Sequence, residues 1–243
     1  RKGTTRMTDT CRNGFKDLWK IAEHPQQALE HLAPFSHPST KGEKQEHLVH
    51  VLERSSWGPL MKDYRDAFER RMAALAGFMG GFEGGKTKCQ RVSIKGRLAM
   101  GLGNASVMEN GLALNHTYGL PMLSGSGLKG MASAMAHLGL ENESWRMRTP
   151  EKDFQGQGVD HRALFGDRDT GKEGAAAGMV VFHDAWWEPD ANAAQLPFEL
   201  DVLTPHQGKY NLNGGAWPND WTDPVPSPFL TVRGTFVVPL TGP

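Results

Sequence analysis

The stretch Gly119-Leu120-Pro121-Met122-Leu123-Ser124-Gly125-Ser126-Gly127-Leu128-Lys129-Gly130 decides how this chain is read. Ser126 is a good N-cap, and Leu128, Met131, Ala132, Met135 and Ala136 then mark a short helix. Two glycines, two hydroxyls and a lysine therefore gather at a helix N-terminus. Leading amides, the helix dipole and Lys129 can converge there on an anion. Glycine also lets the backbone approach a phosphate closely. An ordinary capped turn asks for the same residues, so the stretch alone leaves both readings open.

Upstream, the period of the apolar residues is two. In Arg91–Met100 the even positions are apolar except Gly96, while Arg91, Ser93, Lys95 and Arg97 occupy odd ones. This predicts a half-buried strand with a cationic outer face. A loop with Gly101, Gly103, Gly111 and Gly119 joins it to the helix. Before residue 86 the pattern is helical. Phe15, Leu18, Trp19 and Ala22 share a face, Leu29 and Leu32 continue after His24-Pro25, and a Pro- and Ser-rich break covers 34–39. Glu43–Arg54 places Leu48, Val51 and Leu52 on one side, and Leu60–Phe78 is the strongest helix, ended by Gly80-Gly81.

Downstream, strands are predicted at Met179–Phe182 and Phe198–Leu203. Another spans Phe229–Leu240, with Leu230, Val232, Gly234, Phe236, Val238 and Leu240 on one side. Between the last two, 204–228 is a long insertion rich in Gly, Pro, Asn and Trp. The expected organisation is a helical region over 1–85 and an α+β domain over 86–243 with that insertion.

The chain has 243 residues, with 27 Lys+Arg against 27 Asp+Glu. The balance hides an asymmetry. Residues 1–100 carry 18 basic and 11 acidic side chains (+7), and 101–243 carry 9 and 16 (−7). Lys86, Lys88, Arg91, Lys95 and Arg97 form an acid-free run that suits either a polyanion or solvent. No apolar run reaches the roughly 18 residues of a membrane span. Cys11 and Cys89 make neither a disulfide framework nor a zinc ribbon, and a reduced, cytoplasmic protein is the default. Arg1-Lys2-Gly3 offers no Met and no apolar signal segment, which fits a trimmed chain or a fragment.

Several motifs point elsewhere and lose on context. Gly80-Gly81-Phe82-Glu83-Gly84-Gly85-Lys86-Thr87 fits the phosphate-binding pattern G-x-x-x-x-G-K-[ST]. That loop must follow a strand and open a helix, whereas here a helix precedes and a strand follows, so a nucleotide hydrolase stays a distant alternative. Gly101-x-Gly103 lacks the third glycine of a dinucleotide fold, with Ser106 in its place. His47 and His50 share a helix face without further ligands and read as surface histidines; no metal or cofactor is implied. Ser124-Gly125-Ser126-Gly127 lacks nucleophile-elbow spacing.

The segment Leu120–Gly130 resembles the hydrophobic–Pro–G-S-S-x-K-G signature of the repeat-associated mysterious protein (RAMP) superfamily of CRISPR systems. Further blocks, in family order, resemble one family within it, subunit six of the type III-B Cmr effector complex. They are Gly101–Gly111 with Leu114–Tyr118, Ala163–Asp167, Gly178–Ala185, Leu200–His206 and Asp223–Val232. The resemblance covers about 86–240, and the N-terminal helices match it only vaguely. It implies a ferredoxin-like, RRM-like α+β core with N-terminal helices and long loop insertions. The closing helix and Gly-rich strand of such a core are expected to be missing from this chain.

The resemblance also implies a guide-RNA (crRNA)-binding subunit at the 3′ end of the effector, in antiviral defence. Its partners would be crRNA, target RNA and other RAMP subunits, with no membrane. Gly125, Ser126, Gly127, Lys129 and Gly130 match the loop that approaches RNA phosphates. Lys95 and Arg97 suit the same task, and Asn104, His116 and Tyr118 lie in the loop leading to it. Tyr118, His206 and Tyr210 could stack on bases. Cleaving subunits of related complexes carry an Asp in the loop after the first strand. Here 101–115 has only Glu109, so no nuclease activity is expected of this chain. The alternative is a RAMP endoribonuclease using Glu109 or His116.

Overall fold

A computed structural model describes residues 18–31, 33, 42–53, 57–78, 83–147, 158–167, 176–190, 196–205, 210, 217, 221 and 223–243. The chain divides into two compact units, each assembled from three stretches. One comprises 1–64, 94–121 and 189–234, the other 65–93, 122–188 and 235–243. These interleaved units cut the chain differently from a sequential boundary at 85/86.

In the first unit, helix α1 (Glu43–Glu53) buries Leu48 and Val51 on the face their spacing predicts. It packs on an antiparallel pair, β7 (Phe198–Leu203) and β8 (Ser227–Val232), in register from Phe198↔Val232 to Leu203↔Ser227. Phe198, Phe229, Leu230 and Val232 complete this core. Trp57 is buried and donates from Nε1 to the Val51 carbonyl at 3.0 Å, which satisfies the indole N–H. A π-helical turn, Gln27–His31, buries Ala28 and Leu29. Here His47 departs from the surface reading. It is 2 % exposed, with Nε2 2.9 Å from the Ala28 carbonyl oxygen. Sequence spacing placed it on a helix face but could not show that the 27–31 turn covers that face.

Helix α2 (Gly58–Ala76) follows the expected periodicity, with Met61, Tyr64, Ala67, Phe68 and Leu75 buried. Its residues from Arg65 on belong to the second unit. There the sheet order is β1 (Lys86–Ser93), β9 (Thr235–Gly242), β6 (Ala185–Trp187), β2 (Met122–Leu123), with β5 (Val181–Phe182) also on β9 and every pair antiparallel. Helices α3 (Gly125–Gly139) and α4 (Val159–Phe165) pack on each other, and α3 on β5. β3 (Gly166–Asp167) pairs antiparallel with β4 (Ala176–Ala177).

Both long strands expected from the alternation are broken, at one place. β1 starts at Lys86 and ends at Ser93 rather than running 91–100. The 229–240 pattern divides into β8 and β9 around Gly234, whose φ is +106°. The Ile94 amide still reaches the Gly234 carbonyl at 3.0 Å, and pairing resumes at the Leu98↔Val232 bridge. When a strand turns through a left-handed glycine, its partner must leave the ladder with it. Consequently Lys95 and Arg97 lie between two pairings, not on a strand face.

Exposure also differs from simple alternation. β1 is exposed on both faces apart from Thr87, and Val92 is 47 % exposed. β9, central in the sheet, buries Phe236, Val237, Val238 and Pro239 in succession. On α3, Met131 and Met135 are 61 % and 62 % exposed, while Leu128, Ala132 and Ala136 are half-buried. The inward stripe is therefore the i, i+4, i+8 row through Leu128, rotated from the expected face.

Candidate nucleic-acid interface

The glycine loop is anchored by backbone geometry. β2 pairs with β6 (Met122↔Trp186, Leu123↔Ala185), which sets Ser124 at the end of the sheet. The N-cap is Ser124, not Ser126. Its backbone is extended (φ −65°, ψ 137°) and its Oγ accepts from the Gly127 amide at 3.2 Å. Ser126 stands two residues further in, its Oγ donating to Ser124 Oγ at 3.4 Å. The Gly125 amide donates to Asp184 Oδ1 at 2.8 Å. Gly125 is buried, and a Cβ there would collide with the Phe182 carbonyl. Only glycine fits, so Gly125 serves packing as much as ligand approach.

These bonds narrow the anion reading. Two leading amides of α3, those of Gly125 and Gly127, already have protein acceptors, and Asp184 brings a carboxylate to the helix start. Ser126 and Gly130 are exposed and Lys129 is half-buried. An incoming anion would meet the side chains of Ser126 and Lys129.

Gly125, Ser126, Lys129 and Gly130 line one wall of a cleft of about 850 Å³ within the second unit. The rest of the lining includes Gly166, Asp167, 176–178 and 180–182, and α4 contributes His161 and Phe165. His161 is buried, shares a 2.8 Å hydrogen bond with Ser133 Oγ, and lies tilted on Phe165 at 4.9 Å. Burial holds its pKa below the ordinary imidazole value against a hydrogen bond with the Ser133 backbone, with His137 adding to the shift, so it is neutral at pH 7. The Leu-Phe-Gly-Asp run has a steric origin. Gly166 has φ +79°, and a Cβ on it would lie 2.5 Å from the Ala176 carbonyl oxygen. Phe165 lies within the Ala163–Asp167 block, whereas nothing in the residue pattern singled out His161 beyond its i, i+4 spacing from Phe165.

The other expected residues belong to the first unit, save His206, which lies outside the described residues. Lys95 is exposed. Arg97 is held by acids of β7, with Nη1 3.0 Å from Asp201 Oδ2 and Nε 3.3 Å from Glu199 Oε2. Glu199 also takes Arg233 at 2.9 Å. The Val202 amide and then Arg97 hold the Asp201 carboxyl below its usual pKa. Arg91 is likewise gripped by Glu188, its Nε 2.8 and 2.9 Å from the two carboxylate oxygens. Asn104 is exposed in a tight loop, and Cβ atoms at Gly101 or Gly111 would strike it. The His116 carbonyl accepts from His24 Nε2 at 3.1 Å, while Tyr118 packs edge-on to Tyr64 at 5.6 Å. Tyr210 is 47 % exposed.

Glu109 adopts φ +70°, forms an ion pair with buried Lys44, and accepts from Ser227 Oγ at 3.3 Å. Among the described residues no group of three His, Cys, Asp or Glu side chains is placed to hold a metal, and no helix is long and apolar enough to cross a membrane. The phosphate-loop match at 80–87 stands between α2 and β1, the reverse of the strand–loop–helix order it requires; its residues 80–82 lie outside the described set.

Comparison with known proteins agrees with the glycine loop. The CRISPR system Cmr subunit Cmr6 of Pyrococcus furiosus is 27% identical over 174 residues, covering 56% of this chain and 51% of that protein. The match thus spans about half the length of the relative. A chain in the cryo-EM structure of the Type III-B Cmr-beta bound to cognate target RNA shares the fold, with a TM-score of 0.51 at 15% identity over 97% of this chain and 75% of that one. The crystal structure of Cmr6 from Pyrococcus furiosus aligns over 66% of this chain and 84% of its own at 24% identity, with a TM-score of 0.29. A RAMP superfamily model matches residues 91–229, more than half of the chain and inclusive of the loop at 124–130 and the cleft beside it. This chain belongs to the RAMP superfamily.

Proposed function

We propose that this chain is a non-catalytic RNA-binding subunit of a type III CRISPR effector complex, seated at the 3′ end of the guide RNA beside other RAMP subunits. The observation that carries the reading is the loop Ser124–Gly130, pinned to the sheet through Gly125 and opening with Ser126 and Lys129 onto a cleft. The named relative, a Cmr complex subunit, supports the setting, as does a structural neighbour from a Cmr assembly bound to target RNA. A ferredoxin-like core is supported by the antiparallel order β1–β9–β6, with α3 lying between β1 and β6 in sequence. Such a subunit acts in the cytoplasm.

The grip is on backbone. Lys129 supplies charge and Ser126 a hydroxyl, both sequence-independent phosphate partners. Lys95 is an exposed cation that could add a phosphate contact. Arg97 is the weakest of the expected cations, because Asp201 and Glu199 compete for it. The non-catalytic part is supported by Glu109, whose carboxylate is committed to Lys44 and Ser227.

Fluorescence anisotropy with a short single-stranded RNA tests the binding. Lys129→Ala is expected to weaken affinity about threefold to tenfold and to lower the salt slope by about 1. An unchanged affinity and slope would remove the loop from the RNA-binding surface. In the assembled complex, Glu109→Ala is expected to leave guide-directed RNA cleavage intact, and loss of cleavage with binding retained would make this chain catalytic.

A further inference from the structure

The cleft beside the glycine loop is larger than phosphate recognition requires. A phosphate held by Ser126 and Lys129 would occupy only its rim, where Gly130, Ala177 and Val181 are also exposed. Part of the lining is aromatic. Phe182 is half-buried and stacks on buried Phe165, with centroids 6.0 Å apart and planes 25° from parallel. Asp167, whose side chain is 10% exposed with Arg162 3.9 Å away, also lines the cleft. A carboxylate there repels a phosphate but accepts from N–H groups of a base. The volume of about 850 Å³ falls within the roughly 300–1,000 Å³ of small-molecule sites.

A cation, an aromatic ring and a carboxylate acceptor in one cleft are groups that the phosphate and the base of a nucleotide can both use. We propose that the cleft takes one nucleotide of a single-stranded RNA, with its phosphate at Ser126 and Lys129 and its base turned out of the strand against Phe182. This rests on the RNA-binding reading of the loop and adds a base subsite to it. Base stacking on an aromatic side chain repays the unstacking and tolerates any sequence. At Gly130 the rim borders open space, since a Cβ there would have nothing within 4 Å.

The test is anisotropy on the full chain with a fluorescein-labelled uridine octamer and with the same ribose-phosphate chain lacking bases. The wild type is expected to bind the octamer about tenfold more tightly. Ala177→Trp, which fills the cleft from the rim, should abolish that preference and leave the base-free RNA bound as before. Equal affinity of the wild type for the two RNAs would overturn the base subsite and leave the backbone grip standing. Failure to bind either would overturn both. A preference retained in folded Ala177→Trp would place the stacking elsewhere and overturn the assignment, while the wild-type comparison decides even if that variant does not fold. Displacement of the octamer by equimolar uridine monophosphate would assign the cleft to a free nucleotide and equally overturn the RNA proposal.

Discussion

Gly125 and Gly130 stand five residues apart in one helix under opposite constraints. At Gly125 a Cβ would meet the Phe182 carbonyl, which belongs to a strand and cannot yield cheaply. At Gly130 a Cβ would meet nothing within 4 Å. Gly125→Ala is expected to cost about 1–3 kcal/mol, and Gly130→Ala to gain about 0.5–1 kcal/mol from helix propensity. Urea denaturation of the two variants measures both, and equal midpoints would refute the packing assigned to Gly125. Glycine content alone marked both positions in the same way. Cations show the same limit: Lys129 and Arg97 read alike in sequence, but Arg97 alone meets two carboxylates, one residue apart on either side of Leu200.

Among the elements, the helices were the most legible, because an amphipathic stripe is a local property. α1 and α2 begin and end within a few residues of their expected bounds. The strands were legible in type but not in extent. β1 and the 94–98 segment run opposite a chain that turns at Gly234, and no pattern within 91–100 records where its partner bends. Gly234 carries the break, and an L side chain at φ +106° is strained by about 1–2 kcal/mol. Gly234→Ala should lower the denaturation free energy by that amount. An unchanged value would mean that the division between β8 and β9 does not depend on glycine.

At the scale of the whole molecule, four histidines among the described residues, His24, His47, His161 and His183, have pKa values below the ordinary 6.5, each first because burial penalises the cation. In the unfolded chain they protonate near 6.5, whereas in the folded chain they resist. The unfolded state therefore binds more protons as pH falls below about 6.5. Stability is expected to be level above that pH and to decline from about pH 6.5 downward, as thermal melts across pH 5–8 would report. His47→Gln, which keeps an N–H donor for the Ala28 carbonyl, should flatten the decline; an equally steep curve would exclude His47 as a contributor. By itself the sequence determined the mixed helix-and-strand class, the amphipathic helices, the β7 span and the glycine loop, since each follows from spacing within a short window; the RAMP resemblance rests instead on the likeness of its motifs to a known family. Tertiary structure alone decided that β9 is buried on both faces and that the long strands break at Gly234. It also decided that His47 is interior, that Arg97 is tied to β7, and that His161, Phe165 and Phe182 wall a cleft beside Lys129. Burial and ion pairing depend on which distant segment arrives opposite a residue, and that is a property of the packed chain.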